Sequence, residues 1–198
     1  MAIIKIRSVD ALIIVDMQND FMPSGALPIE NAHTIIPIIN KYIKLFKDFG
    51  GTIVATRDWH PSNHISFNIR GGPWPPHCIQ NTKGAEFHPL LELPSNTIVI
   101  SKATDENKEA YSGFDSTELD SILKARKVKR VFICGVATEY CVKATAIDAI
   151  NLGYQTFILI DAIKGVNKID SERVINELLS YGIIMLEIKD FITNGFVL

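Results

Sequence analysis

Three residues far apart in the chain, Asp16, Lys102 and Cys141, carry the groups needed to attack an amide or ester. The carboxylate can take a proton, the thiol can act as nucleophile, and a fixed positive charge between them stabilises the ion pair. A second set, Asp58, His60 and His77, offers one hard oxygen and two borderline imidazole nitrogens. That donor mix suits a divalent metal and leaves coordination positions for water or substrate. Each residue also has a plainer reading. A cysteine near a helix start is commonly a small buried hydrophobe, and an aspartate closing a strand commonly caps a loop. Lys102 fits a solvated strand end, and loop histidines often satisfy backbone groups. Cys134, inside an apolar run, keeps the burial reading. His64 is read as a structural or supporting residue, and His33 and His88 have no partner visible in the sequence.

The elements that must position these groups decide between the readings. Short β-branched apolar runs recur at Ala11–Val15, Thr52–Thr56, Thr97–Ile100, Val131–Cys134, Tyr154–Ile160 and Ile183–Glu187. Between them lie apolar residues at helical spacing: Ile35, Ile36, Ile39, Ile43 and Phe46; Leu119, Ile122 and Leu123; Val142, Ala146, Ala149 and Ile150; Val174, Leu178 and Leu179. Strand and helix alternate throughout, which predicts one α/β domain over 1–198, with a mostly parallel central sheet and helices on both faces in three layers. In such a sheet ligands bind beyond the carboxyl ends of the strands. The first run ends in Asp16, the second in Asp58, the third in Lys102, and the fourth leads through Gly135 to Cys141. A carboxylate, a lysine and a thiol therefore converge at one sheet edge, and this convergence favours the chemical reading of Cys141. Thr138 is the expected N-cap of the following helix, which places the thiol in its first turn, where free N–H groups and the dipole favour a thiolate and can hold an oxyanion.

From Asp58 to Asn96, about 39 residues lack clear periodicity, far beyond a usual connection. This stretch holds both tryptophans, four of the five histidines and six of the nine prolines, so it reads as an ordered, site-building loop with a short helix near His64–Ile69.

Composition narrows the classes further. The 198 residues are 47% hydrophobic and carry a net charge of −2, which fits a folded chain burying ~70% of its unfolded surface without disulfide or structural metal. That charge gives no general attraction for nucleic acid or anionic membrane, and points to a small neutral ligand recognised locally. The basic run Lys124, Arg126, Lys127, Lys129 and Arg130 ends a helix, where cations suit the dipole, and reads as a solvated face. The same reading covers Asp105, Glu106 and Glu109. No run of about 18 apolar residues spans a bilayer, and the N-terminus lacks a leader's long apolar region. Three cysteines at 78, 134 and 141 match no disulfide framework or zinc ribbon and predict reduced thiols in the cytoplasm.

Taken together, the motifs resemble the nicotinamidase/pyrazinamidase branch of the isochorismatase-like cysteine hydrolases. The resemblance is carried by Val15-Asp16-Met17-Gln18-Asn19-Asp20-Phe21, Asp58-Trp59-His60, Trp74-Pro75-Pro76-His77-Cys78, Lys102 with Ala110-Tyr111-Ser112-Gly113-Phe114, and Gly135-Val136-Ala137-Thr138-Glu139-Tyr140-Cys141-Val142. It extends over essentially the whole chain in the family's order, with Glu139 where Asp is more usual. It implies a deamidase that converts nicotinamide to nicotinate and ammonia in NAD salvage, with pyrazinamide as a further substrate. Cys141 would attack, Asp16 would accept its proton, and Lys102 would stabilise the charges. The oxyanion would rest on the N–H groups of Ala137 and Cys141, beside a cis peptide between Val136 and Ala137. A divalent ion, zinc before iron or manganese, would be held by Asp58, His60 and His77 and would orient the pyridine ring between Phe21, Trp74 and Tyr140. The alternatives are a related N-carbamoyl or ureido amidohydrolase and, more remotely, a non-enzymatic metal- or ligand-binding protein. The partner expected is the small-molecule substrate, with a homo-oligomer left open.

Overall fold

Six parallel strands form the sheet: β1 (Asp10–Val15), β2 (Thr52–Asp58), β3 (Ile98–Lys102), β4 (Arg130–Val136), β5 (Gln155–Lys164) and β6 (Ile184–Leu186), in the order β3-β2-β1-β4-β5-β6. The structure, a computed structural model, describes residues 4–193 and 196–197. Helices α1 (Ile36–Asp48), α2 (Leu119–Ala125), α3 (Lys143–Asn151) and α4 (Lys168–Ser180) complete the α/β layering expected from the sequence.

Alternation along the central strands explains why they read as continuous apolar runs. Leu12 and Ile14 of β1 join Phe132, Cys134 and Val136 of β4 in one core. Ala11, Ile13 and Val15 join Val131 and Ile133 in the other. Both faces are buried, so neither carries a polar period. Helix α1 covers the first core with Ile36, Ile39, Tyr42, Ile43 and Phe46, a stripe at helical spacing. Leu119 and Leu123 of α2, Ala146 and Ala149 of α3, and Val174 and Leu178 of α4 cover the second. Among the described residues no helix is long and apolar enough to cross a membrane.

Chain order reverses between β1 and β4, so connections diverge there and leave a crevice above the carboxyl ends of the strands. The long connection from β2 to β3 folds over this crevice and is ordered by isolated bridges His60 to Ile79, Phe67 to Trp74 and Gln18 to Phe87. The short helix expected near His64–Ile69 is replaced by a single 3-10 turn at Asn68–Arg70. The cause is tertiary: the Trp74 N–H donates to Ser66 O and the Asn68 N–H to Trp74 O, which uses the backbone around Phe67 in a bridge. A two-stranded antiparallel hairpin, Ile192–Thr193 with Phe196–Val197, was not expected from the sequence.

Gly135 is where β4 admits the closest neighbour. Its φ is 110°, and a Cβ built there would lie 2.1 Å from the carbonyl oxygen of Val15, its register partner. Any side chain would force apart the two strands that carry Asp16 and the turn to Cys141. Gly135→Ala is expected to destabilise the protein by more than about 2 kcal/mol, combining a positive φ with a backbone clash. Urea unfolding checks this, and an unchanged midpoint would refute the packing account.

Candidate active site

Strand ends deliver the polar groups, and the backbone turns sharply as it leaves them. Asp16 follows β1 with φ 51°, Ala103 follows Lys102 with φ 51°, and Cys78 follows His77 with φ 46°. Non-glycine residues rarely adopt this conformation, and they collect where the surrounding structure fixes a functional geometry. In register, Asp58 pairs directly with Lys102 across β2 and β3.

Lys102 is the hub. Its Nζ lies 2.9 Å from Asp16 Oδ2 and 3.3 Å from Cys141 Sγ, and it donates to Asp58 Oδ1 in a short ion pair. All four residues are buried. Thr56 Oγ1 donates to the other Asp16 oxygen at 2.7 Å. Burial alone would strip the proton from Lys102, but Asp16 and Asp58 outweigh it and hold the ammonium well above its ordinary range. The two carboxylates fare differently. Burial raises Asp16, and Lys102 only partly offsets this while Asp58 adds repulsion. Burial also works against ionised Asp58, but Lys102 and the His60 and His77 rings together hold it well below the usual carboxylate range.

At Cys141 the surroundings oppose the thiolate that a helix start alone would favour. Burial pushes the thiol well above its ordinary value, and the pull of Lys102 is further opposed by Asp16. The local helix differs too. Thr138–Val142 form one π-turn ahead of α3, Ala137 occupies the cap position, and Thr138 makes no capping hydrogen bond. Tyr140 and Val142 donate their N–H groups to the same carbonyl, that of Ala137, which is the signature of the widened turn. The Val136–Ala137 peptide is cis, as the resemblance implied.

Asp58, His60 and His77 form a buried cluster whose donor atoms all lie within 4.8 Å of one another. His60 Nε2 is 3.7 Å and His77 Nε2 4.0 Å from Asp58 Oδ2. These separations are too long for hydrogen bonds, and they resemble the spacing of donors arranged about a common ion at about 2.1 Å from each. His77 Nδ1 lies 2.8 Å from Pro75 O, so the other ring nitrogen is left to ligate. Burial pulls the His77 imidazole below its ordinary 6.5, with Asp58 opposing, which favours the neutral form that binds metal. The cluster fits a divalent cation. His64 packs against His60 with ring centroids 4.3 Å apart and planes tilted by 37°, but its own nitrogens meet Ser66 Oγ and Lys108 O. Its nitrogens are thereby occupied.

A cavity of about 80 Å³ opens over Cys141 and Asp58. Phe21, Trp74 and Tyr140, the aromatic walls read from the sequence, line it together with Ala137 and His77. Trp74 meets Tyr140 edge-on at 5.1 Å, and Trp74 Nε1 donates to Tyr111 Oη at 3.0 Å. The sequence reading missed Tyr111, Leu27 and Val166 as walls. It also missed Gln18, whose side chain donates to Asp58 O at 2.7 Å and accepts from Asp58 N at 2.8 Å. Gln18 and Tyr111 sit inside the quoted motifs, where a polar residue next to a strand end was a usable signal. Leu27 and Val166 carried none.

Comparison with known proteins agrees with this geometry. An isochorismatase domain model matches residues 10–190. A nicotinamidase of Acinetobacter baylyi is 40% identical, over 87% of this chain and 90% of that protein. A pyrazinamidase of Pyrococcus horikoshii solved in complex with zinc is 58% identical, with a TM-score of 0.88 over 90% of this chain and 98% of its own. PnC1 from L. infantum, solved in complex with nicotinate, is 35% identical, with a TM-score of 0.90 over 96% and 98%. The family model spans most of the chain, and the chain belongs to the isochorismatase domain family.

Proposed function

We propose that this chain acts in the cytoplasm as one catalytic unit, hydrolysing nicotinamide to nicotinate and ammonia, and pyrazinamide likewise, through a thioester on Cys141. The observation that carries the reading is the placement of Lys102 Nζ against Asp16, Asp58 and Cys141 beneath an aromatic-walled cavity. Relatives named nicotinamidase and pyrazinamidase, similar over most of the chain, support the substrate.

Asp16 takes the Sγ proton as the sulfur attacks the carboxamide carbon, so charge passes between neighbours that Lys102 already bridges. The carbonyl oxygen becomes an oxyanion held by the N–H groups of Ala137 and Cys141, both at the cavity wall. Asp16 returns the proton to the departing nitrogen, ammonia leaves, and a thioester remains. Water then attacks the thioester, giving a proton to Asp16; the C–S bond breaks, Asp16 returns that proton to Sγ, and nicotinate leaves with the thiol regenerated. Phe21, Trp74 and Tyr140 sandwich the ring. A divalent ion held by Asp58, His60 and His77, zinc by the precedent of the P. horikoshii protein, would supply Lewis acidity and an anchor for the pyridine nitrogen.

In a coupled ammonia assay, Cys141→Ala is expected to lower kcat at least ~10³-fold. Ammonia release at the wild-type rate would sink the nucleophile assignment. The pH profile carries a second prediction. Asp16 must be ionised to accept the proton, and its pKa is raised above the ordinary 3.8, so activity is present at higher pH and is lost as pH falls through the raised value. The acid limb of kcat/KM should therefore lie above 3.8 and not below it. His77→Ala is expected to lose bound divalent metal, and unaltered stoichiometry by elemental analysis would refute the ligand set.

A further inference from the structure

One carboxylate two residues before the thiol takes no part in that chemistry. Glu139 Oε2 accepts from the Val166 N–H at 3.0 Å, and Oε1 accepts from the Asn167 N–H at 3.0 Å and from Ser171 Oγ at 2.8 Å. Asn167 caps α4, its side chain accepting from the N–H groups of Ile169 and Asp170. Glu139 therefore ties the turn that carries Cys141 to the N-terminus of α4, where the dipole favours an anion and the hydrogen bonds are charge-assisted. The approach is tight: a Cβ at Gly165 would lie 2.5 Å from Glu139 Oε1 and 2.0 Å from Ser171 Oγ. A larger residue at 165 would have to displace the Glu139 carboxylate or the Ser171 hydroxyl.

Between Gly165 and Asn167 stands Val166. It is 54% exposed, yet it lines the same cavity as Phe21, Trp74 and Cys141. A valine with so little burial has weak apolar anchoring of its own. Its position at the wall depends on the backbone bonds that Glu139 accepts.

We propose that Glu139 is a positioning residue that clamps Gly165–Asn167 to the turn of Cys141, and that Val166, held this way, is the outer wall that sets the size of molecule the cavity admits. The kinetic consequence rests on the nicotinamide reading given above, whereas the wall itself does not. Glu139 acts through Val166 on how the ring carboxamide is held, and not on the reacting atoms.

The test uses the full-length protein and the variants Glu139→Ala, Glu139→Gln, Gly165→Ala and Val166→Ala. Gly165→Ala disturbs the clamp from its other side, and Val166→Ala removes the wall without touching the clamp. The first readout is steady-state turnover of nicotinamide. Glu139→Ala removes all three bonds and should raise KM at least about tenfold, while kcat stays within about twofold. Glu139→Gln, which keeps one acceptor oxygen, should fall between it and wild type. The second readout needs no substrate: alkylation of Cys141 by small iodoacetamide and by bulky N-benzylmaleimide, followed by peptide mass spectrometry. The bulky-to-small rate ratio cancels changes in thiol reactivity and should rise in Glu139→Ala, Gly165→Ala and Val166→Ala alike. A fall in kcat at constant KM with an unchanged ratio would place Glu139's effect on the turn of Cys141 and overturn the proposal, as would no change in either readout. If Glu139→Ala fails to fold, Val166→Ala and Glu139→Gln decide by the same ratio. If wild type leaves nicotinamide untouched, the substrate reading fails and the alkylation ratio alone judges the clamp.

Discussion

A single buried ammonium, that of Lys102, faces two carboxylates and a thiol, and the rest of the site is arranged around the cost of keeping it there. Removing such a charge from water costs several kcal/mol, recovered only when close partners of opposite sign are held in good geometry. The sheet supplies that geometry. Asp58 stands opposite Lys102 in register, Asp16 closes β1 on the other side of β2, and the reversal of strand order at β1 and β4 brings in the turn to Cys141. One positive charge cannot serve two carboxylates equally, and the surroundings break the tie. Asp58 also faces two imidazoles and is drawn down, whereas at Asp16 burial outweighs Lys102 and the Thr56 hydroxyl and pushes it up. The two acids thereby differ in kind: one stays anionic and suits a cation, and the other is ready to carry a proton.

Keeping Asp58 in that position requires support from outside its own strand. Gln18 brackets its backbone from the turn after β1, so the residue that begins the metal cluster and the turn that follows Asp16 are fixed together. Asp20, in the same turn, accepts from the Cys78 N–H at 2.7 Å, which ties the segment bearing His77 to the same place. The long connection between β2 and β3 is thus held at its start and its middle by one short turn, and this is how so irregular a stretch delivers ligands to a buried point. Ordering it would otherwise be costly, since fixing each residue's backbone takes about 1–2 kcal/mol.

Much of this was legible in the residues. Apolar runs located the six strands, and the rule that ligands meet the carboxyl ends of a parallel sheet converted them into Asp16, Asp58, Lys102 and Cys141. What escaped was set by partners distant in sequence. Residues 66–68 look helical locally but are bridged to Trp74. The turn at Thr138 has a good capping residue, yet it widens to put two N–H groups on the Ala137 carbonyl and leaves the threonine side chain uncommitted as a cap. Val166 reaches the cavity because Glu139 holds its backbone, which no periodicity could reveal.

The resting state of Cys141 departs furthest from the local expectation, and it follows from the hub. A helix N-terminus and a lysine at 3.3 Å would lower a solvated thiol. Here burial raises it, and the nearby carboxylates oppose the help that Lys102 gives. A permanent thiolate would add a third anion around one ammonium. Burial and the two carboxylates thus favour the protonated thiol, and Asp16 is the nearby group that can take its proton as the sulfur attacks. Proton transfer is most effective when donor and acceptor are matched near the working pH. Raising Asp16 narrows its gap to the raised thiol, so the burial that makes Cys141 a weak acid also makes Asp16 a stronger base.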